Sequence, residues 1–155
     1  MLFLPFVLPI CVWVAYSDMS RMKIPNMAVL ALAGVFIVLG PFMFDLTDYF
    51  WRIVGGAIIL GIGFVMNQLR LIGAGDAKFA AAMAPFFAPQ HLSPVLMLFS
   101  IALLLAFLGH RTARAIPAVR GLAPEWESWT HKKFPMGLAL SMTLAAYMVL
   151  VAYHN

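Results

Sequence analysis

Arg70-Leu71-Ile72-Gly73-Ala74-Gly75-Asp76-Ala77-Lys78 interrupts a largely apolar sequence, and its reading decides the fold. Two glycines, a carboxylate and a lysine arrive together, followed at once by Phe79-Ala80-Ala81-Ala82-Met83. Glycine permits backbone conformations and close approaches that other residues resist. An aspartate ahead of an apolar helical run can cap that helix, and it sits at the positive end of the helix dipole. A helix cap is therefore one reading of Asp76. A second carboxylate in a similar setting, Asp18, and the apolar segments around both point to another.

Apolar residues make up 64% of the 155-residue chain and charged residues only 10%, against roughly 25% charged in a soluble domain. A core of this size cannot hold that excess, so the composition implies an all-α, polytopic integral membrane protein, a single unit over residues 1–155 in contact with the lipid bilayer. The single cysteine, Cys11, cannot form an intrachain disulfide and rules out a cysteine-rich zinc site within the chain. The net charge of +4 does not indicate nucleic acid, because the basic residues are dispersed between membrane segments. No charged segment precedes the first apolar run, so residues 1–17 read as a first span and not as a cleaved signal.

Six spans are expected: residues 2–17, 27–44, 53–69, 77–92, 93–109 and 134–153. The fourth is an alanine-rich run through Phe87, disturbed by Pro85 and Pro89, which completes its crossing near Leu92. Gly55, Gly56, Gly61 and Gly63 in the third are suited to close helix approach. Asp45-Leu46-Thr47-Asp48 reads as an acidic turn, with Tyr49 and Trp51 as interfacial anchors. Residues 110–133 form the one long polar connection, with Trp126 and Trp129 read as anchors at the interface.

If every run crosses, Arg21, Lys23, Arg70, Lys78, Arg111, Arg114, Arg120, Lys132 and Lys133 all fall on one side, nine of the ten basic residues, and only Arg52 falls on the other. Cytoplasmic connections carry the excess of Lys and Arg. Both termini are therefore expected on the outer, periplasmic face and Asp18 and Asp76 on the cytoplasmic one.

A carboxylate near membrane depth is costly and tends to face the bundle interior or a wet cavity. Each aspartate could simply reach the interface. If the two face each other, like-charge repulsion raises one pKa, so that one carboxyl is protonated and the other ionised. Such a pair activates water with one group and protonates an amide product with the other, with neither metal nor cofactor.

At this point the chain resembles a known family. Asp18, followed by Lys23-Ile24-Pro25-Asn26, looks like the first motif of the type IV prepilin peptidases, which are membrane aspartyl proteases. Gly73-Ala74-Gly75-Asp76-Ala77-Lys78 matches their Gly-x-Gly-Asp-x-Lys motif, and Pro135-Met136-Gly137 is similar to a third signature in which Met136 replaces the usual aromatic residue. The resemblance implies that Asp18 and Asp76 are catalytic, that Gly73 and Gly75 are a flexible frame for Asp76, and that basic prepilin leaders are cleaved at the cytoplasmic face of a bacterial inner membrane. Lys78 reads either as an electrostatic partner of the site or as a topology-setting interfacial lysine. Pro25 is expected to fix the entry of the second span and Asn26 to hydrogen-bond across the hinge, the other reading being that both simply start that helix. The first hinge is a few residues long without cysteine, which is similar to the short, protease-only Flp/Tad-type form and not to longer members that also N-methylate their product. Archaeal preflagellin peptidases share these motifs.

Glu125 and Glu127 are the only other acids on the expected cytoplasmic side and are candidates to receive a basic leader. His91, His110, His131 and His154 have no metal-ligand spacing and read as interfacial. The alternative from another class is a small transporter or proton-relay subunit using the same acids. It leaves the Lys-Ile-Pro-Asn hinge unexplained.

Overall fold

The computed structural model describes residues 2–131 and 133–154, the side chain of His154 excepted. Met1 of the expected first span, Lys132 of the basic count and Asn155 at the terminus lie outside the described residues. The order is α1 (Leu4–Arg21), α2 (Asn26–Met43), α3 (Leu46–Gln68), α4 (Ala74–Met83), α5 (Leu92–Ala115), α6 (Pro117–Leu122) and α7 (Met136–His154), with 3₁₀ turns at Ala84–Phe86, Pro89–His91 and Glu127–Trp129. Among the described residues the protein is all-helical, without strands. Four helices are long and apolar enough to cross a membrane: Asn26–Met43, Leu46–Gln68, Pro89–Ala115 and Met136–Tyr153.

The expected fourth span is short. Pro85 ends the regular helix at Met83, and α4 has only ten residues, a rise of about 15 Å. The chain nevertheless reaches the Asp48 end of the bundle. There the Arg52 guanidinium, paired with Asp48 at 2.9 Å, donates to the carbonyls of Pro85 and Phe87 at 3.1 and 3.0 Å. Arg52 also lies 4.0 Å above the Phe44 ring. Hydrogen bonds to a charged group are worth roughly 1.5–3 kcal/mol, so this one arginine ties down the 3₁₀ turn that follows α4.

The third helix starts earlier than the apolar pattern implies, at Leu46, with Asp45 in the N-cap position. The acidic stretch is thus the first turn of α3. Tyr49 is not an interfacial anchor. Its ring is buried against Phe36 in a stack at 5.6 Å and its hydroxyl donates to the Ile37 carbonyl. Trp51 is exposed. Of the four glycines in α3, two are used for close approach. A Cβ on Gly56 would stand 3.0 Å from Pro85 Cγ and one on Gly63 2.9 Å from Ala77 Cβ, whereas Gly55 and Gly61 face open space. Gly56 and Gly63 are seven residues apart and so lie on one helix face, the face against α4.

The core runs between α1, α2, α4 and α7, with Val7, Val14, Leu32, Phe36, Phe79 and Leu144 fully buried. The polar connection after α5 is folded and docked on the bundle. α5 continues to Ala115, and the Glu127–Trp129 turn packs on α1 through an edge contact of Trp126 with Tyr16. Trp129 is buried in a stack on His110 at 5.4 Å and donates its Nε1–H to the Ala123 carbonyl. Trp129 and His110 are therefore packing residues and not interfacial ones.

Candidate active site

Three helix ends converge at the Arg21 end of the bundle. α1 closes on Met22 in the left-handed region (φ 51°), whose N–H bonds the Asp18 carbonyl. Ser17 Oγ donates to the Lys23 carbonyl at 2.9 Å and folds the hinge back on the helix. Pro25 is extended and starts α2 at the next residue. The hinge is thus four residues, Met22, Lys23, Ile24 and Pro25, and Asp18 sits one turn before it with 5% exposure.

α3 leaves through Arg70, also left-handed (φ 60°), and Asn67 Nδ2 donates to the Ile72 carbonyl at 2.9 Å to brace the turn. α4 begins at Ala74 with Gly73 as N-cap, so Asp76 is its third residue and not its cap. Its carboxylate reaches back to the Gly73 amide, as the acidic residue of a capping box does. The two motif glycines do not supply unusual backbone angles, since no glycine among the described residues has positive φ. They supply space. A Cβ on Gly73 would stand 2.6 Å from Asp76 Oδ2, and one on Gly75 3.3 Å from Ile24 Cβ.

The third end is the start of α7. The Gly137 N–H donates to Asp18 Oδ2 at 2.6 Å, and the Leu138 amide also faces that carboxylate. Helix N-terminal amides favour an anion. The Pro-x-Gly sequence was legible as a signature, but its job as the partner of Asp18 was not. Burial and then the facing Asp76 charge raise Asp18 to about 6, opposed by those two amides. Burial raises Asp76 as well, opposed by the Gly73 amide and the Lys133 charge. Lys133 was not singled out in the sequence; it reaches this place because the docked connection ends there.

Asp18 and Asp76 line one cavity of about 530 Å³, shared with Lys23, Ile24, Asn26, Gly73, Gly75, Lys78, His131, Lys133 and Met136. Lys78 Nζ donates to Asn26 Oδ1 at 3.2 Å, so Asn26 bridges to the Gly-Asp helix and not across its own hinge. Glu125 and Glu127 are exposed on the docked connection, outside the cavity lining. Among the described residues no three His, Cys, Asp or Glu side chains gather as a metal site would require.

The Peptidase_A24 pattern, described as the type IV leader peptidase family, matches residues 5–109. The chain belongs to the type IV leader peptidase family. The matched region contains both aspartates and the whole hinge, and it favours a membrane peptidase over a transporter. Gly137, which holds Asp18, lies beyond it. No curated protein and no solved structure matched the chain.

Proposed function

We propose that the protein is a membrane aspartyl endopeptidase that removes the basic leader of type IV or Flp-like prepilins with an Asp18/Asp76 dyad and water. The observation that carries this reading is the meeting of two buried or half-buried carboxylates in one cavity of a leader-peptidase chain. In the productive state the pair shares one proton. The ionised carboxylate takes a proton from water as its oxygen attacks the scissile carbonyl carbon. The protonated carboxyl then gives its proton to the departing amide nitrogen as the C–N bond breaks. The products are a free leader carboxylate and a new amino terminus, and the dyad again holds one proton. Gly137 and Leu138 orient Asp18, Gly73 orients Asp76, and the Asn26–Lys78 bond holds the two motifs in register. Glu125 and Glu127 would meet the basic leader outside the cavity, an exposed contact worth about 0–1 kcal/mol.

The test is co-expression with a prepilin carrying a basic, glycine-terminated leader, followed by mass spectrometry of the pilin. Leader loss is expected, without an added methyl group, because a four-residue hinge leaves no room there for a second domain. An uncleaved pilin would reject the activity, and a methylated one would reject the protease-only form.

The proposed topology has six crossings, both termini outside and the dyad at the cytoplasmic face of the inner membrane. The basic asymmetry supports it. A membrane-impermeant thiol reagent should label Thr47→Cys in intact cells and reach Ala118→Cys only after permeabilisation. Labelling of Ala118→Cys in intact cells would overturn the orientation.

A further inference from the structure

α2 and α3 diverge. At the Asp48 end they are pinned together, where the Tyr49 ring fills the space above Gly40 and its hydroxyl bonds the Ile37 carbonyl. Towards the dyad they separate, and α4 forms the floor between them. The result is an apolar groove of about 570 Å³, lined by Leu30, Ala33, Ile37, Ala57, Leu60 and Ala81 among others. Its last lining residues at the dyad end are Asn26 and Lys78, which also line the catalytic cavity. A second groove of about 480 Å³ on the other flank of α3, beside α5, shares no residue with that cavity.

We propose that the α2/α3/α4 groove receives an apolar helix of the substrate, the segment that follows the scissile bond, so that the bond itself lies beyond the Asn26–Lys78 pair against the dyad. This rests on the peptidase reading and adds where the substrate's membrane segment docks. From Asn26 to Ile37 the groove extends about 16 Å, three turns of helix. Its alanines let a second backbone come close, as packed membrane helices require. The closed Tyr49 end sets the depth of entry, and the open end delivers the chain to the site. A lipid chain would fit the apolar walls but would have no use for continuity with the cavity.

The test compares two substrates on the full-length enzyme in lipid nanodiscs: a whole prepilin and a short soluble peptide ending a few residues past the scissile bond. The readout is the ratio of their kcat/KM values. Ala57→Trp should lower the whole-prepilin to short-peptide ratio at least tenfold, and Leu104→Trp on α5 should not. An unchanged ratio, or an equal fall in both variants, would overturn the groove while leaving the peptidase intact. Cleavage of neither substrate by the unaltered enzyme would reject both. If Ala57→Trp does not accumulate, a photoreactive phenylalanine at Leu30 in the Asp76→Asn background decides. An adduct with the prepilin's apolar helix is expected, and adducts only with lipid or a second copy of the enzyme would overturn the groove.

Discussion

Asp18→Asn and Asp76→Asn should each abolish leader removal while the protein still accumulates in the membrane. Asparagine keeps the shape of the side chain but cannot take or give the shared proton. General acid–base catalysis contributes roughly 10²–10⁴-fold, and each variant loses both roles, since neither carboxyl completes the cycle alone. The double variant should be no worse than either single one, because groups that act as a unit are not additive. Neither change creates a buried charge, so folding should survive. Asp45→Asn, exposed at the far end and making no side-chain cap bond, should be nearly silent. The assay is the extent of pilin processing at matched enzyme levels. Full processing by either single Asn variant would return its aspartate to a structural role.

Gly137→Ala should cost about 10²-fold in kcat with a smaller change in KM. The added Cβ would stand 2.9 Å from Asp18 Oδ2 and 2.9 Å from Ile24 side-chain carbons. The carboxylate cannot move aside without losing the Gly137 N–H, which it accepts at 2.6 Å. A displacement of about 1 Å in a reacting group can cost 10²-fold. Gly61→Ala is the matched control, because its Cβ would meet nothing within 4 Å and alanine favours the helix by up to about 1 kcal/mol. Steady-state cleavage of a leader peptide in nanodiscs separates kcat from KM. Wild-type kcat in Gly137→Ala would mean that the α7 end does not position Asp18.

The polar residues that line the Asp18–Asp76 cavity stand out in the sequence against apolar runs. Asp18, the Lys23–Asn26 motif and the Gly73–Lys78 element all contribute to one cavity. What escaped depends on contacts distant in sequence. Asp18 and Gly137 are 119 residues apart, and no local pattern reveals that an amide at the start of α7 meets the end of α1. Arg52 looks like a lone basic residue on the sparse side, yet it satisfies carbonyls more than 30 residues away. Tyr49, Trp129 and His110 carry the amphipathic composition of interfacial residues, and only tertiary packing shows that they face inward. α4 is shorter than the apolar run implies for a physical reason. Pro85 ends the helix, but the chain continues towards the far end in 3₁₀ turns that apolar periodicity does not distinguish from helix.

The shared proton is the centre of the proposed mechanism, and the pH dependence of kcat/KM reports it most directly. With both carboxyls protonated there is no base, and with both ionised there is no acid, so the profile should be bell-shaped. Burial and the facing Asp76 charge raise Asp18 to about 6, so the alkaline limb should fall near pH 6 and not near the ordinary aspartate value of about 4. The same shift links to stability. A carboxyl with a raised folded-state pKa contributes stability that is full below the unfolded value and is lost as pH rises through about 6, so the folded fraction is to be recorded at each pH. A bell with its falling limb near pH 6, in enzyme that stays folded, is the expected result. A flat profile from pH 4 to 9 would contradict a dyad that works by sharing one proton.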